Sequence, residues 1–413
     1  MKLLFSHPAG NQNVRAMLDG LQREDMLARF ATTFAAREDS PLLRLVPQKL
    51  GKELLRRRFD VPPEKILQHP SREFARMICF RFGWNHWVRH EEGFASIDGV
   101  LHDFDRFVAR ALPTVHREHG VKAVYSYEDS ALDTFRQAKS LGMRCVYDLP
   151  ISYWEVGRRL MEEETQRLPE WVGALGGGMC DTDAKLERKV HELELADLVV
   201  VPSKFVADSL PDWASGKARV LSPFGSPSSS GTWSRTAEDP SRPLRVLFAG
   251  SMGQRKGLAD LLQAMHLLGG ENIELVVMGG PLESLDFYRR QYAGFTYEPG
   301  RPHAEVLKLM NSCDVFCLPS LYEGRALVMQ EAMSQGLPLV ITPNTGGEDL
   351  VIEGKTGFLV PIRSPEQIAE KLAWFNQNRQ ALMAMKEQAI RHAASYTWSN
   401  YSATVIDAIR ALA

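Results

Sequence analysis

The sequence predicts an α/β architecture of two doubly wound parallel-sheet halves facing a cleft. Three observations carry this. At 413 residues the chain is too long for one ordinary hydrophobic core. A strand, a glycine-containing turn and a helix open residues 2–21, and the same sequence of elements opens again at 244–268. Between them, residues 227–243 are rich in Pro, Ser and Gly without periodicity, as a domain boundary is. The expected division is 1–226, a linker at 227–243, a second domain at 244–395 and a final helix at 396–413.

Hydrophobic residues make up 44% and charged residues 24%, the balance of a soluble globular protein. A formal charge of −2 gives no support to a nucleic-acid partner held by bulk electrostatics. The opening MKLLFSHP meets a His and a Pro too early for a signal segment, and no apolar run approaches the roughly 18 residues of a membrane span. Cys79, Cys145, Cys180, Cys313 and Cys317 are odd in number and form no CxxC pair, which argues against disulfides and zinc. A cytoplasmic, reduced chain with no metal and no cofactor is the expectation.

In the first half, Lys2 to Ser6 is an opening strand, His7 to Asn11 its turn, and Val14 to Leu21 a helix. Residues 35–110 match no motif. Within them, Arg44, Lys49, Lys52, Arg56, Arg57 and Arg58 stand against Glu53 and are interleaved with leucines. Two readings fit: a solvated face, or a basic helix making peripheral contact with an anionic bilayer through 44–58. Ala123 to Tyr127 is a strand, a helix follows to Leu141, and Arg144 to Tyr147 is the next strand. Asp148 then stands where doubly wound folds place ligand-facing side chains, although a turn before Pro150 also suits it. Residues 151–195 are helical and acidic. Their glycine cluster at 173–178 follows no strand and reads as a loop. Strands at 198–201 and 219–222 complete the half.

The second half opens with the buried strand Leu244 to Ala249, the loop Gly250 to Gly257 and the helix Leu258 to Leu268. The loop lacks the Walker pattern but carries Arg255 and Lys256, a bidentate and a point-charge partner for phosphate. Gly250, Ser251 and, after the strand Ile273 to Met278, Gly279 leave backbone open to a ligand. The rival reading makes Arg255 and Lys256 solvated. Cations before a helix oppose its dipole, however, and an anion there would explain them.

Residues 318–351 hold the densest pattern, LPSLYEGRALVMQEAMSQGLPLVITPNTGGEDLV. A strand ends at Pro319, a turn carries Glu323, a helix runs from about Ala326 to Gln335, and a strand leads to a turn at Gly346 and Gly347. The N–H groups of Ala326, Leu327 and Val328 would open the helix toward an anion. Glu323 and Glu331, with seven residues between them, are acceptors suited to sugar and ribose hydroxyls. The plain alternative is a helix cap and a solvated helix residue.

The pattern PSLYEG–ALV–EAM–GLPLV–GG resembles the E-x7-E signature of the retaining glycosyltransferases of family 4, which have the GT-B fold. The likeness is strong over residues 245–361. It implies metal-independent transfer of a sugar from a nucleotide-diphosphate-sugar donor to an acceptor hydroxyl of a glycan, lipid-linked glycan or small molecule. It implies that Lys256 and Arg255 meet the diphosphate, Glu323 the donor sugar and Glu331 the ribose. Ser251 stands where the family usually has Arg, and Arg255 is the candidate to compensate. Asp148 would face the reacting sugar, while His7, Gly10 and Asn11 would line the acceptor side. The final helix would cross back onto the first half. A phosphorylase or epimerase of the same fold, or a nucleotide-sugar-binding protein without activity, remain rival readings.

Overall fold

The computed structural model describes residues 1–36, 55, 57–176, 180–227 and 241–412. Seven parallel strands form the N-terminal sheet: β1 (Leu3–Ser6), β2 (Leu27–Thr32), β3 (Ile66–Gln68), β4 (Ala123–Tyr127), β5 (Arg144–Asp148), β6 (Leu198–Val201) and β7 (Ala218–Leu221). Six parallel strands form the second: β8 (Leu244–Ala249), β9 (Ile273–Met278), β10 (Phe295–Glu298), β11 (Val315–Leu318), β12 (Leu339–Ile341) and β13 (Gly357–Leu359). Their orders are β3-β2-β1-β4-β5-β6-β7 and β10-β9-β8-β11-β12-β13. Both are the doubly wound order, and each reverses once, between β1 and β4 and between β8 and β11. Ligand crevices of open α/β sheets lie at that reversal, beyond the strand C-termini.

Helices on both faces explain why the central strands read as unbroken apolar runs. β6 and β11 are buried along their whole length. The helix Ile97–His119 begins in the stretch that carried no motif and runs beyond it. Ser96 caps it by accepting the Gly99 N–H at 2.9 Å, and Gly120 ends it at φ +62. Phe104, Val108 and Leu112 form its buried stripe. The helix Trp398–Arg410 buries Tyr401, Val405, Ile406 and Ile409 in the same core as Leu3 and Phe5 of β1. Gly20 makes room for it, since a Cβ there would lie 2.9 Å from the Ile406 side chain.

One piece of the N-terminal half is built into the other domain. After the helix Trp154–Arg167, Trp171 and Ala174 are buried within the C-terminal core. The Trp171 ring lies 5.0 Å from Phe287 and 5.7 Å from Tyr288. Above it, Glu164 accepts from Arg167, from Gln254 at 2.9 Å and from Arg363 at 2.5 Å, while Arg167 also reaches Asp260 at 2.9 Å. These contacts clasp the two halves beside the 250–257 loop.

Of the basic segment 44–58, residues 44–54 and 56 lie outside the described residues, as do 228–240 of the linker. Arg57 does not belong to a solvated or lipid-facing row. Its guanidinium turns inward to the buried Glu73 and to Thr33. Among the described residues, no helix is long and apolar enough to cross a membrane.

Candidate functional site

β8 and β11 are neighbours, so the loops that follow them share one crevice. Gly257, at φ +74, allows their close approach: a Cβ there would lie 2.0 Å from the Pro319 carbonyl oxygen. The approach brings three charged side chains together. Lys256 Nζ lies 2.6 Å and Arg255 Nη1 2.8 Å from the same oxygen, Glu323 Oε1. Burial pushes the Lys256 pKa down, Glu323 pulls it up, and Arg255 adds to the lowering. The counter-charge expected from a bound anion is thus supplied by the chain itself. Glu323, expected to face sugar hydroxyls, holds both cations through Oε1.

The other expected donor-side residues surround this triad. A Cβ on Gly279 would lie 1.8 Å from the Gly250 oxygen, so the ends of β8 and β9 pack backbone to backbone. Ser251 is exposed beside them. The helix Leu327–Ser334 starts one residue later than expected. Ala326 is its N-cap and its N–H already reaches the Thr345 oxygen at 3.4 Å, so Leu327 and Val328 alone open the helix. Glu331 lies in the second turn with His303 Nε2 at 3.0 Å from Oε1. Gly346, at φ +70, passes under Gly324, where a Cβ would lie 1.9 Å from the Gly324 oxygen. Gly347 is packed against Met329. Both glycines make room for the chain's own packing.

The N-terminal half touches this site at Gly324. Ser203 Oγ donates to the Gly324 oxygen at 2.6 Å, and a Cβ on Gly324 would lie 1.6 Å from the Pro150 oxygen. Two residues before Pro150, Asp148 is buried, and its pKa is raised to about 7. Burial is the main cause, the Tyr125 hydroxyl opposes it, and the charge of Glu128 adds to it. His7 is buried as well, its ring 4.4 Å from Tyr127 and its Nδ1 2.8 Å from the Ala9 oxygen. Burial lowers its pKa to about 4, so the imidazole is neutral. Ser6 Oγ, Ser126 Oγ and His7 Nε2 are buried without a hydrogen-bond partner among the described residues. Gly10 is covered by Phe59, whose ring would lie 2.7 Å from a Cβ, and Asn11 is exposed with no side-chain cap bond.

Other residues of the site escaped sequence reasoning. Arg325 is buried and donates to Asp349, to the Gly346 oxygen at 3.0 Å and to Gln330. It staples the Glu323 turn to the 346–349 turn. Gln254 is fully buried, accepts the Ala259 N–H at 2.9 Å and fixes the turn that carries Arg255 and Lys256. Neither residue belongs to a recognisable spacing; only their distant partners give them a role. Two Asp-x-Asp triplets are present, at 103–105 and 181–183. Asp105 is buried, bound by Arg188, and accepts the Asp133 and Thr134 N–H groups. Asp181 holds Lys185 at 2.9 Å and belongs with His90 and Glu91 to a ligand-like cluster on the N-terminal half.

Residues 231–392 match the sequence profile described as glycosyl transferases group 1. The D-inositol 3-phosphate glycosyltransferase of Corynebacterium urealyticum is 30% identical over 54% of this chain and 60% of its own length. The putative colanic acid biosynthesis glycosyltransferase WcaL of Salmonella typhimurium is 31% identical over 35% of this chain and 38% of its own. The chain spans about three fifths of the length of the first of these relatives. Among solved structures, the sucrose-phosphate synthase of Thermosynechococcus elongatus superposes with a TM-score of 0.66 at 16% identity, over 100% of this chain and 99% of that one. HepE of Anabaena in complex with UDP does so with a TM-score of 0.63 at 15% identity, over 100% of both. Residues 231–392 therefore carry a glycosyl transferases group 1 domain, within a GT-B architecture of two parallel-sheet domains.

Proposed function

We propose that the chain transfers a sugar from a nucleotide-diphosphate-sugar donor to an acceptor hydroxyl, with retention and without a divalent metal. The observation that carries this is the Arg255–Lys256–Glu323 triad at the reversal between β8 and β11. A departing diphosphate gains negative charge as the glycosidic bond breaks. Preformed cations in a partly desolvated crevice stabilise that charge without reorganising. Both cations meet Glu323 through Oε1, and Oε2 is the oxygen we assign to a donor-sugar hydroxyl. Glu331 would accept from the ribose, with His303 orienting it. The acceptor would approach from the N-terminal edge, where Asp148 and His7 lie.

UDP is the first nucleotide to test, because HepE, which shares the architecture, holds UDP and UDP-glucose. A ligand that binds the native state raises the unfolding temperature. A thermal-shift series with UDP, GDP and ADP and their sugars should show one base stabilising the protein in both forms. Release of that nucleotide diphosphate from its sugar, dependent on an added acceptor, completes the test. No shift with any nucleotide overturns the donor assignment. Binding without turnover on any acceptor makes the chain a nucleotide-sugar-binding protein.

A further inference from the structure

Several of the exposed bulky apolar side chains of the N-terminal half fall in one segment, residues 78–94. Ile78, Phe80, Phe82, Trp84, Trp87 and Phe94 are each 49–66% exposed. Single exposed apolar residues are ordinary, but a cluster of this size marks an interaction site. The helix Ser71–Phe82 is anchored by the buried Cys79, and from Phe80 to Trp87 every residue is exposed. At about 100° per residue, Phe80, Arg81 and Phe82 point to different sides of the axis. The helix end therefore stands clear of the body on all of them. Gly83, at φ +68, ends the helix, and the Trp84 N–H returns to the Cys79 oxygen at 2.9 Å. That turn brings the Trp84 ring to 5.5 Å from Phe82.

Cations sit among these rings. The Arg76 guanidinium lies 4.8 Å from the Phe80 ring centre and that of Arg72 lies 4.4 Å from Phe94. Arg81 is exposed at the tip. Beside Trp87, a cleft of about 420 Å³ is lined by His86, Arg106, Glu91 and Glu92, with Arg106 also 3.6 Å from Asp103. Its exposed acid, Glu92, is matched by Arg89 at 2.7 Å.

We propose that this tip inserts into the surface of an anionic lipid bilayer. Its aromatic rings would enter at the headgroup–acyl boundary, while Arg76, Arg81 and Arg106 would meet lipid phosphates. Shape selects this occupant. A projection that is apolar on several sides needs a partner that surrounds it, which lipid does and a flat protein face does not. A second copy across a twofold axis would set the tip's arginines against one another. The inference goes beyond the sugar-transfer reading and stands independently of it.

The test uses the full chain with vesicles of phosphatidylcholine, with and without phosphatidylglycerol. Wild type should sediment with the anionic vesicles at least fivefold more than with the neutral ones. The variant Phe80→Ser, Phe82→Ser, Trp84→Ser should lose at least tenfold of that partitioning while melting at the same temperature. Should the triple variant fail to fold, the conservative pair Trp84→Phe and Trp87→Phe carries the test. Brominated lipid should quench tryptophan emission in wild type and leave the emission of the pair unquenched. Equal sedimentation of wild type with and without vesicles overturns the proposal, and so does equal quenching of both proteins. A wild-type dimer that the triple variant turns into a monomer, without vesicle binding, assigns the tip to a second copy instead.

Discussion

The two sheets present the same reversal of strand order and build opposite crevices on it. Beyond β8 and β11 the edge carries two cations on one carboxylate, with glycines that let backbone approach backbone. Beyond β1, β4 and β5 the edge is buried and holds a neutral imidazole, a carboxyl group whose pKa is raised to about 7 and hydroxyls without a partner among the described residues. Topology fixes where a crevice forms, and the loop residues decide its chemistry. The C-terminal edge suits an anion. The N-terminal edge suits a neutral polar group and the exchange of a proton.

Substitutions on the two edges should therefore fail in different ways. On the C-terminal edge, Lys256→Ala should lose about 2–4 kcal/mol of transition-state stabilisation, or roughly 30- to 1000-fold in kcat/KM. Steady-state rates with the donor found by thermal shift measure it, and a loss below about threefold would remove Lys256 from the diphosphate.

The matching change on the N-terminal edge should show in pH dependence. The Asp148 carboxyl ordinarily titrates at 3.8 and is raised to about 7 in the fold. Its proton therefore stabilises the native state fully below about pH 4, and the benefit is lost as pH rises through about 7. Asp148→Asn keeps the group neutral and should flatten that slope by about 4 kcal/mol between pH 4 and 8. Urea unfolding of both proteins across that range measures it, and parallel slopes would show that Asp148 is ionised in the native state.

Glu331→Ala returns to the C-terminal edge. A charged hydrogen bond to the ribose contributes about 1.5–3 kcal/mol, so the free nucleotide diphosphate should bind roughly 10- to 100-fold more weakly. Calorimetry on wild type, Glu331→Ala and Glu323→Ala sharpens the division of labour. Equal losses in the two variants contradict it, because Glu323 should act on turnover more than on nucleotide affinity. The smallest effect is expected at Asn11, exposed and without a cap bond. Asn11→Ala should leave stability within about 0.5 kcal/mol. A clear rise in KM for the acceptor with unchanged stability would return Asn11 to the acceptor side.

The alternation of strand, glycine turn and helix was legible because its signals are local. The helix Leu258–Leu268 and the strands β8 and β9 fall where apolar runs and glycines place them. The Glu323 turn and the Lys256 loop were legible for the same reason, each being a short segment between a strand and a helix. Long helices such as Ile97–His119 were not, because their cap and stripe lay in a region without a motif to frame them.

By itself, then, the sequence determined two doubly wound halves, the residues at their strand ends and a family resemblance strongest in the second half. The tertiary structure alone decided how those residues are used. It paired Glu323 with Lys256 and Arg255 across more than sixty positions of chain. It buried Trp171 of one half in the core of the other and withdrew His7 and Asp148 from solvent. The physical reason is one of range. Backbone preference acts over a few residues, whereas desolvation and charge pairing depend on which distant segments pack together, and those set the pKa and the partner of every group in the site.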